Sequence, residues 1–72
     1  MRDFKAGDNV RIKCDGRTID GEILFASGNG NSLMLGFDAL LAGHVGMMPV
    51  LREDGRYHSI LNDVSVELEG GQ

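Results

Sequence analysis

From Val10 to Phe25 the chain reads VRIKCDGRTIDGEILF, with apolar and polar residues alternating on either side of an Asp-Gly pair. Alternation at period two marks a strand with one covered face, and Asp-Gly between two such segments is the strongest short-range hairpin signal. A type I′ turn needs φ > 0 at both central residues, which Asp15 and Gly16 tolerate. With those two residues as the loop, Cys14 faces Arg17, Ile12 faces Ile19, Arg11 faces Asp20 and Val10 faces Gly21. Val10, Ile12, Cys14, Ile19, Gly21, Ile23 and Phe25 then share one face. Arg11, Lys13, Thr18, Asp20 and Glu22 take the other. A ribbon so divided is built to cover a core.

The pattern continues in short segments. Ser27 to Asn31 reads as a loop, and Ser32 to Phe37 as a third strand with Leu33, Leu35 and Phe37 alternating. Asp38 to Gly43 fits one helical turn, with Asp38 as N-cap and Gly43 as the C′ residue. A second Asp-Gly pair, Asp54-Gly55, predicts a hairpin pairing Glu53 with Arg56, Arg52 with Tyr57, Leu51 with His58 and Val50 with Ser59. Pro49 cannot donate to a ladder, so its strand begins there or lies at a sheet edge. After a turn at Asn62-Asp63, Val64, Val66 and Leu68 alternate in a last strand. Five or six short antiparallel strands with at most one helical turn predict an all-β fold, a small, partly open barrel.

The opening Gly7-Asp8-Asn9-Val10-Arg11-Ile12, with a glycine midway along the next strand, resembles small barrels of the SH3-like type, KOW and Tudor modules among them. Asp15-Gly16-Arg17, Gly21, Phe25, Asn31, Leu33 and Leu35 stand in the order of the first Sm motif, so this stretch also resembles the Sm and Sm-like proteins. That resemblance implies ring assembly and binding of single-stranded RNA, with Arg17 and Asn31 as the positions carried over. Ala26 stands where the motif has Asp after the Phe, the spacing from Phe25 to Asn31 is a residue longer, and the Ile-Arg-Gly of the second Sm motif is missing.

A chain of 72 residues forms a single domain, residues 1–72, and at this size folding buries only about 60% of the unfolded surface. One cysteine excludes an internal disulfide, and with the polar opening MRDFKAGD it points to the cytoplasm. No apolar run approaches the ~20 residues of a membrane span, so no membrane partner is expected. Seven basic residues against eleven acidic ones give a net charge of −4, which disfavours nucleic acid as a partner because that affinity rests on Lys and Arg neutralising phosphates.

The chemistry-bearing residues are few. Cys14 lies on the apolar face, where a free thiol packs. His44 and His58 would make half a metal site with Cys14 or Asp63, but the close-spaced ligand pairs of zinc sites are missing, so no metal or cofactor is expected. Gly70-Gly71-Gln72 matches the tripeptide of translation release factors without their basic surroundings. No catalytic constellation stands out, and the chain is not expected to be an enzyme. Met47 and Met48 are adjacent, and alternation cannot bury both within one strand. Met is also suited to adaptable interaction surfaces. His44, Met47, Met48, Pro49 and Tyr57 are therefore the candidate partner-binding residues. The expected function is a non-catalytic protein-interaction or accessory module for an unidentified protein partner. The alternatives are an RNA-binding, oligomeric Sm-like or KOW-like barrel, and a subunit that pairs through the Val64 to Leu68 strand.

Overall fold

A computed structural model describes residues 4–70; Met1 to Asp3 at the opening, and Gly71 and Gln72 of the release-factor-like tripeptide, lie outside them. Six strands follow one another: β1 (Asn9–Cys14), β2 (Arg17–Ala26), β3 (Ser32–Leu41), β4 (His44–Glu53), β5 (Arg56–Ser59) and β6 (Ser65–Gly70). Each pairs antiparallel with its successor, and β6 returns to β1, closing the barrel. The barrel is thus closed rather than partly open. The last strand, β6, pairs with β1 from Val66 to Gly70 but meets β5 only at Tyr57–Val66 and His58–Ser65. The described residues hold no helix long and apolar enough to cross a membrane.

Both Asp-Gly hairpins form in the expected register, Cys14 opposite Arg17 and Glu53 opposite Arg56. Asp15, Gly16, Asp54 and Gly55 take φ of 53°, 75°, 52° and 78°, the left-handed values of a type I′ turn. The helical turn expected over Asp38 to Gly43 does not form. Here β3 runs on to Leu41, and Ala42 and Gly43 (φ 50° and 80°) make a third two-residue turn that sets Leu41 against His44. An isolated helical turn nucleates poorly, whereas this segment has β4 to pair with. Alanine in the left-handed region is costly, and its carbonyl is held twice, by Asn62 Nδ2 at 2.7 Å and by His44 Nδ1 at 2.9 Å.

Pro49 lies in the middle of β4, opposite Met34, neither at a strand start nor at an edge. The N–H and C=O of one strand residue point to the same side. Its carbonyl accepts from Ile60 N at 3.1 Å, so the donor that proline lacks would have pointed at Ile60, just past the end of β5. That residue is exposed, and water can serve its carbonyl there.

Every strand contributes to the core: Val10, Ile12 and Cys14 from β1, Ile23 from β2, Leu33, Leu35 and Leu41 from β3, Met48 and Val50 from β4, Tyr57 from β5 and Val66 from β6. Ile19 packs against it, as the alternation predicts, but Phe25 does not. The β2–β3 register slips between Ile23 and Phe25, where Leu24 is the extra residue of a β-bulge. A bulge inverts the parity of everything beyond it. Phe25 therefore turns outward at 59% exposure, and Ala26 turns in. The β3–β4 pairing slips too: Phe37 to Ala39 arch between Gly36 and Leu40, opposite Gly46 at φ 82°. Gly21 is required by close approach, because a Cβ there would sit 2.5 Å from Ile12 Cδ1 and 2.7 Å from the Gly36 carbonyl oxygen.

Candidate interaction face

The five candidate residues divide between the inside and the outside of the barrel. Met48 is fully buried (0% exposed) and Tyr57 nearly so. The Tyr57 hydroxyl donates to the Gly30 carbonyl at 3.0 Å, its ring meets Phe4 edge-on with centroids 6.3 Å apart, and the Arg52 guanidinium lies 5.9 Å over it. His44 is also buried, at 8% exposure. Its Nδ1 lies against a carbonyl that can only accept, so the ring proton belongs on Nδ1 and Nε2 is left to accept from the Ser59 hydroxyl at 3.5 Å. Met47 (54% exposed) and Pro49 alone face outward. The methionine pair is thus split by the sheet, one to each side.

Those two outward residues belong to a larger apolar surface. Leu33, Leu35 and Leu41 of β3 and Met48 and Val50 of β4 point in, so their neighbours point out. Cross-strand pairing arranges the outward set in rows. Phe25, Met34 and Pro49 lie side by side across β2, β3 and β4, and Ile60 continues the row past β5. Gly36 is next to Met47, with the Leu24 side chain over it, since a Cβ on Gly36 would meet Leu24 at 2.8 Å. Leu40 then pairs with Val45, which is 77% exposed. The paired outward positions of β3 and of β4 down to Leu51 carry no charge; Asp38 is exposed in the arch between Gly36 and Leu40, and Glu22 of β2 stands beside Gly36.

The opposite wall has the reverse character. Arg11 and Lys13 of β1, Asp20 and Glu22 of β2, and Glu67 and Glu69 of β6 alternate with core residues and face solvent. Arg11 Nε lies 3.7 Å from Asp20, and Lys13 Nζ lies 2.8 Å from Glu69 and 3.8 Å from Glu67. The hydrogen bond and charge of Lys13 hold the Glu69 carboxyl below its ordinary range, and Glu69 correspondingly raises Lys13. In a six-strand ring, β1 and β6 stand diametrically across from β4 and β3. One side of the barrel is a ladder of paired charges, the other an apolar sheet.

The residues weighed for other chemistry are dispersed. Cys14 is buried, and desolvation together with Asp15 pushes its thiol upward, away from the reactive thiolate. His58 faces Asp63 at 3.7 Å while His44 faces Ser59. Among the described residues, no three of His, Cys, Asp and Glu converge. Arg17, carried over from the Sm motif, donates to the Leu40 carbonyl. Asn31, the other, accepts from Arg52 Nε at 3.0 Å and Nη2 at 2.7 Å. An open groove of about 670 Å³ beside β5 is lined by Phe4, Arg52, Arg56, Tyr57 and Glu67 among others, but Arg52 is already committed to Asn31. Comparison with protein-family models, curated proteins and solved structures returns no match.

Reading the sequence for one apolar face locates Met47 but misses Leu24, Phe25, Leu40, Val45, Leu51 and Ile60. The signal is the same one that singles out the methionines. Ile23-Leu24-Phe25, Leu40-Leu41 and Val50-Leu51 are apolar neighbours, and a strand buries only one of two neighbours on a given side; Ile60 lies in the turn after β5, where no such signal applies.

Proposed function

We propose that the protein is a non-catalytic β-barrel interaction module that docks through the outward face of β2, β3 and β4. The observation that carries this reading is the run of uncharged paired positions on the outer side of β3 and β4, joined by the end of β2, with Phe25, Leu40, Val45 and Met47 each more than half exposed. Exposed contiguous apolar patches beyond a few hundred Å² mark interaction sites on soluble proteins. Met and Phe are enriched where partners meet, and charge is depleted at the centre of such patches. The likeness of the first hairpin to SH3-like barrels supports the same class of module, and a single buried cysteine supports a reducing, cytoplasmic setting.

The test is quantitative affinity capture with the wild-type chain, Phe25→Glu, Met47→Glu and, on the opposite wall, Lys13→Glu, each verified as folded by circular dichroism. The reading requires captured proteins that the two face variants lose and Lys13→Glu retains. Retention by both face variants refutes it.

A further inference from the structure

We propose that the occupant of this face is a second copy of the chain, packed face to face about a two-fold axis. The inference rests on the interaction-module reading and names its partner. Leu24, Phe25, Leu40, Val45, Met47, Leu51 and Ile60 are between 41% and 77% exposed, leaving on the order of 700 Å² of mostly apolar area at typical side-chain sizes. A standard stable interface buries about 800 Å² per partner. The face alone is close to the required size.

Charge placement selects the same occupant. Two chains of net charge −4 repel unless their charges are kept apart. Face-to-face packing brings uncharged rows together and sends the two charged ladders to the outer sides. With a barrel 27 × 23 × 17 Å, the β1–β6 ladders then stand on the order of 40 Å apart, about five Debye lengths at physiological salt, while Asp20 and Glu22 of β2 stay at the margin of the patch. Arg17, held on the Leu40 carbonyl at the end of the rows, is a single cation beside Asp20, Glu22 and Asp38, too little positive charge to hold an anionic lipid surface or a nucleic acid.

A two-fold interface sets the same patch against itself, so its relief must fit its own copy. A shallow, open depression lies over Gly36 and Gly46, with Leu24, Phe37, Asp20 and Glu22 among the residues around it. Val45 and Met47 project beside it. The same patch thus carries projecting side chains beside a shallow depression. The patch is the outer surface of paired strands rather than a strand edge, so the contact is between side chains.

Sedimentation equilibrium and light scattering on the purified full chain test this, at up to about 1 mM so that even a ~0.1 mM complex is mostly associated. The expected mass is twice the 7.8 kDa of the chain, unchanged or favoured by added salt. Met47→Glu and Val45→Glu weaken association at least about tenfold, Lys13→Glu leaves it intact, and mixed-label samples show intermolecular contacts at the Met47 methyl. A mass of 7.8 kDa throughout overturns the proposal, as does a dimer indifferent to both face variants. A monomer that still loses a captured protein on Met47→Glu removes the second copy while leaving the interaction module standing.

Discussion

Replacing Gly21 by alanine sets a methyl group against two atoms at once, Ile12 Cδ1 at 2.5 Å and the Gly36 carbonyl oxygen at 2.7 Å. The first is the tip of a side chain with 0% exposure, which has no solvent to move into. The second is backbone, fixed by the β2–β3 ladder. Overpacking of this kind costs about 1–3 kcal/mol. Alanine loses less backbone entropy than glycine on folding, which returns about 0.5–1 kcal/mol. The net loss is about 1–2 kcal/mol, which lowers the melting temperature by roughly 5–15 °C in a domain of this size. Gly36→Ala is the internal control. Its Cβ meets Leu24 side-chain atoms at 2.8–2.9 Å, but Leu24 is 45% exposed and free to swing away, so the change stays within about 0.5 kcal/mol. Ile12→Val removes the clashing Cδ1 and is less damaging in the Gly21→Ala background than alone, a coupling of at least about 0.5 kcal/mol. Urea titrations monitored by circular dichroism measure the wild type, the three single variants and the double variant. Gly21→Ala at wild-type stability, or Gly36→Ala the worse of the pair, would refute the close-approach argument.

Four further outcomes follow from the same geometry. Ala42→Asn relieves a left-handed alanine at φ 50° and raises stability by about 0.5–1 kcal/mol in thermal melts, asparagine being far more at ease there. Met48→Ala, at a fully buried position, costs about 2–5 kcal/mol by denaturant titration, whereas Met47→Ala stays within about 0.5 kcal/mol under conditions where the chain is monomeric. Cys14 resists Ellman's reagent at mildly alkaline pH in the folded protein and reacts promptly in denaturant, because burial raises its thiol and blocks access. Glu69 titrates below an ordinary glutamate because Lys13 favours its charged form; its contribution to stability is therefore present above the unfolded value of about 4.3 and is lost as pH falls through the lower folded value. Carbon-detected NMR titration reads this directly, and Lys13→Gln returns Glu69 toward the ordinary range.

The fold is legible wherever a local signal agrees with the long-range pairing. Asp15-Gly16 and Asp54-Gly55 set both turn geometry and register, and the core positions of β1 follow from them. The third hairpin is illegible because Ala42 carries no turn signal of its own. Its conformation is held by the ring of His44 just after the turn and by Asn62, twenty residues further on. Alternation puts Phe25 on the wrong side because a bulge at Leu24 leaves no mark in a hydropathy pattern and inverts everything after it. Pro49 is misplaced for a related reason: which side of a strand needs its donors depends on where the neighbouring strand ends. Of the candidate site, Met47 and Pro49 lie on the outer face and the other three residues are internal. Nothing local distinguishes a methionine that fills a barrel from its neighbour that leaves it.

That division by parity ties the interaction reading to the fold. Met47 and Met48, Leu40 and Leu41, and Leu51 and Val50 occupy alternate sides of the same strands, the second of each pair packing the core and the first facing out. Packing inside the barrel does not use the outward member, so folding alone places no demand that it be apolar. Solubility would favour a charge there, as at Lys13, Asp20 and Glu67 on the far wall. A preference for apolar residues set only by strand propensity would act on all six strands alike. In this barrel it is confined to the outer sides of β3, β4 and the end of β2, while β1 and β6 alternate core residues with charge. A partner covering one wall, as proposed above, would act on the two sides of a closed barrel unequally, which strand propensity would not.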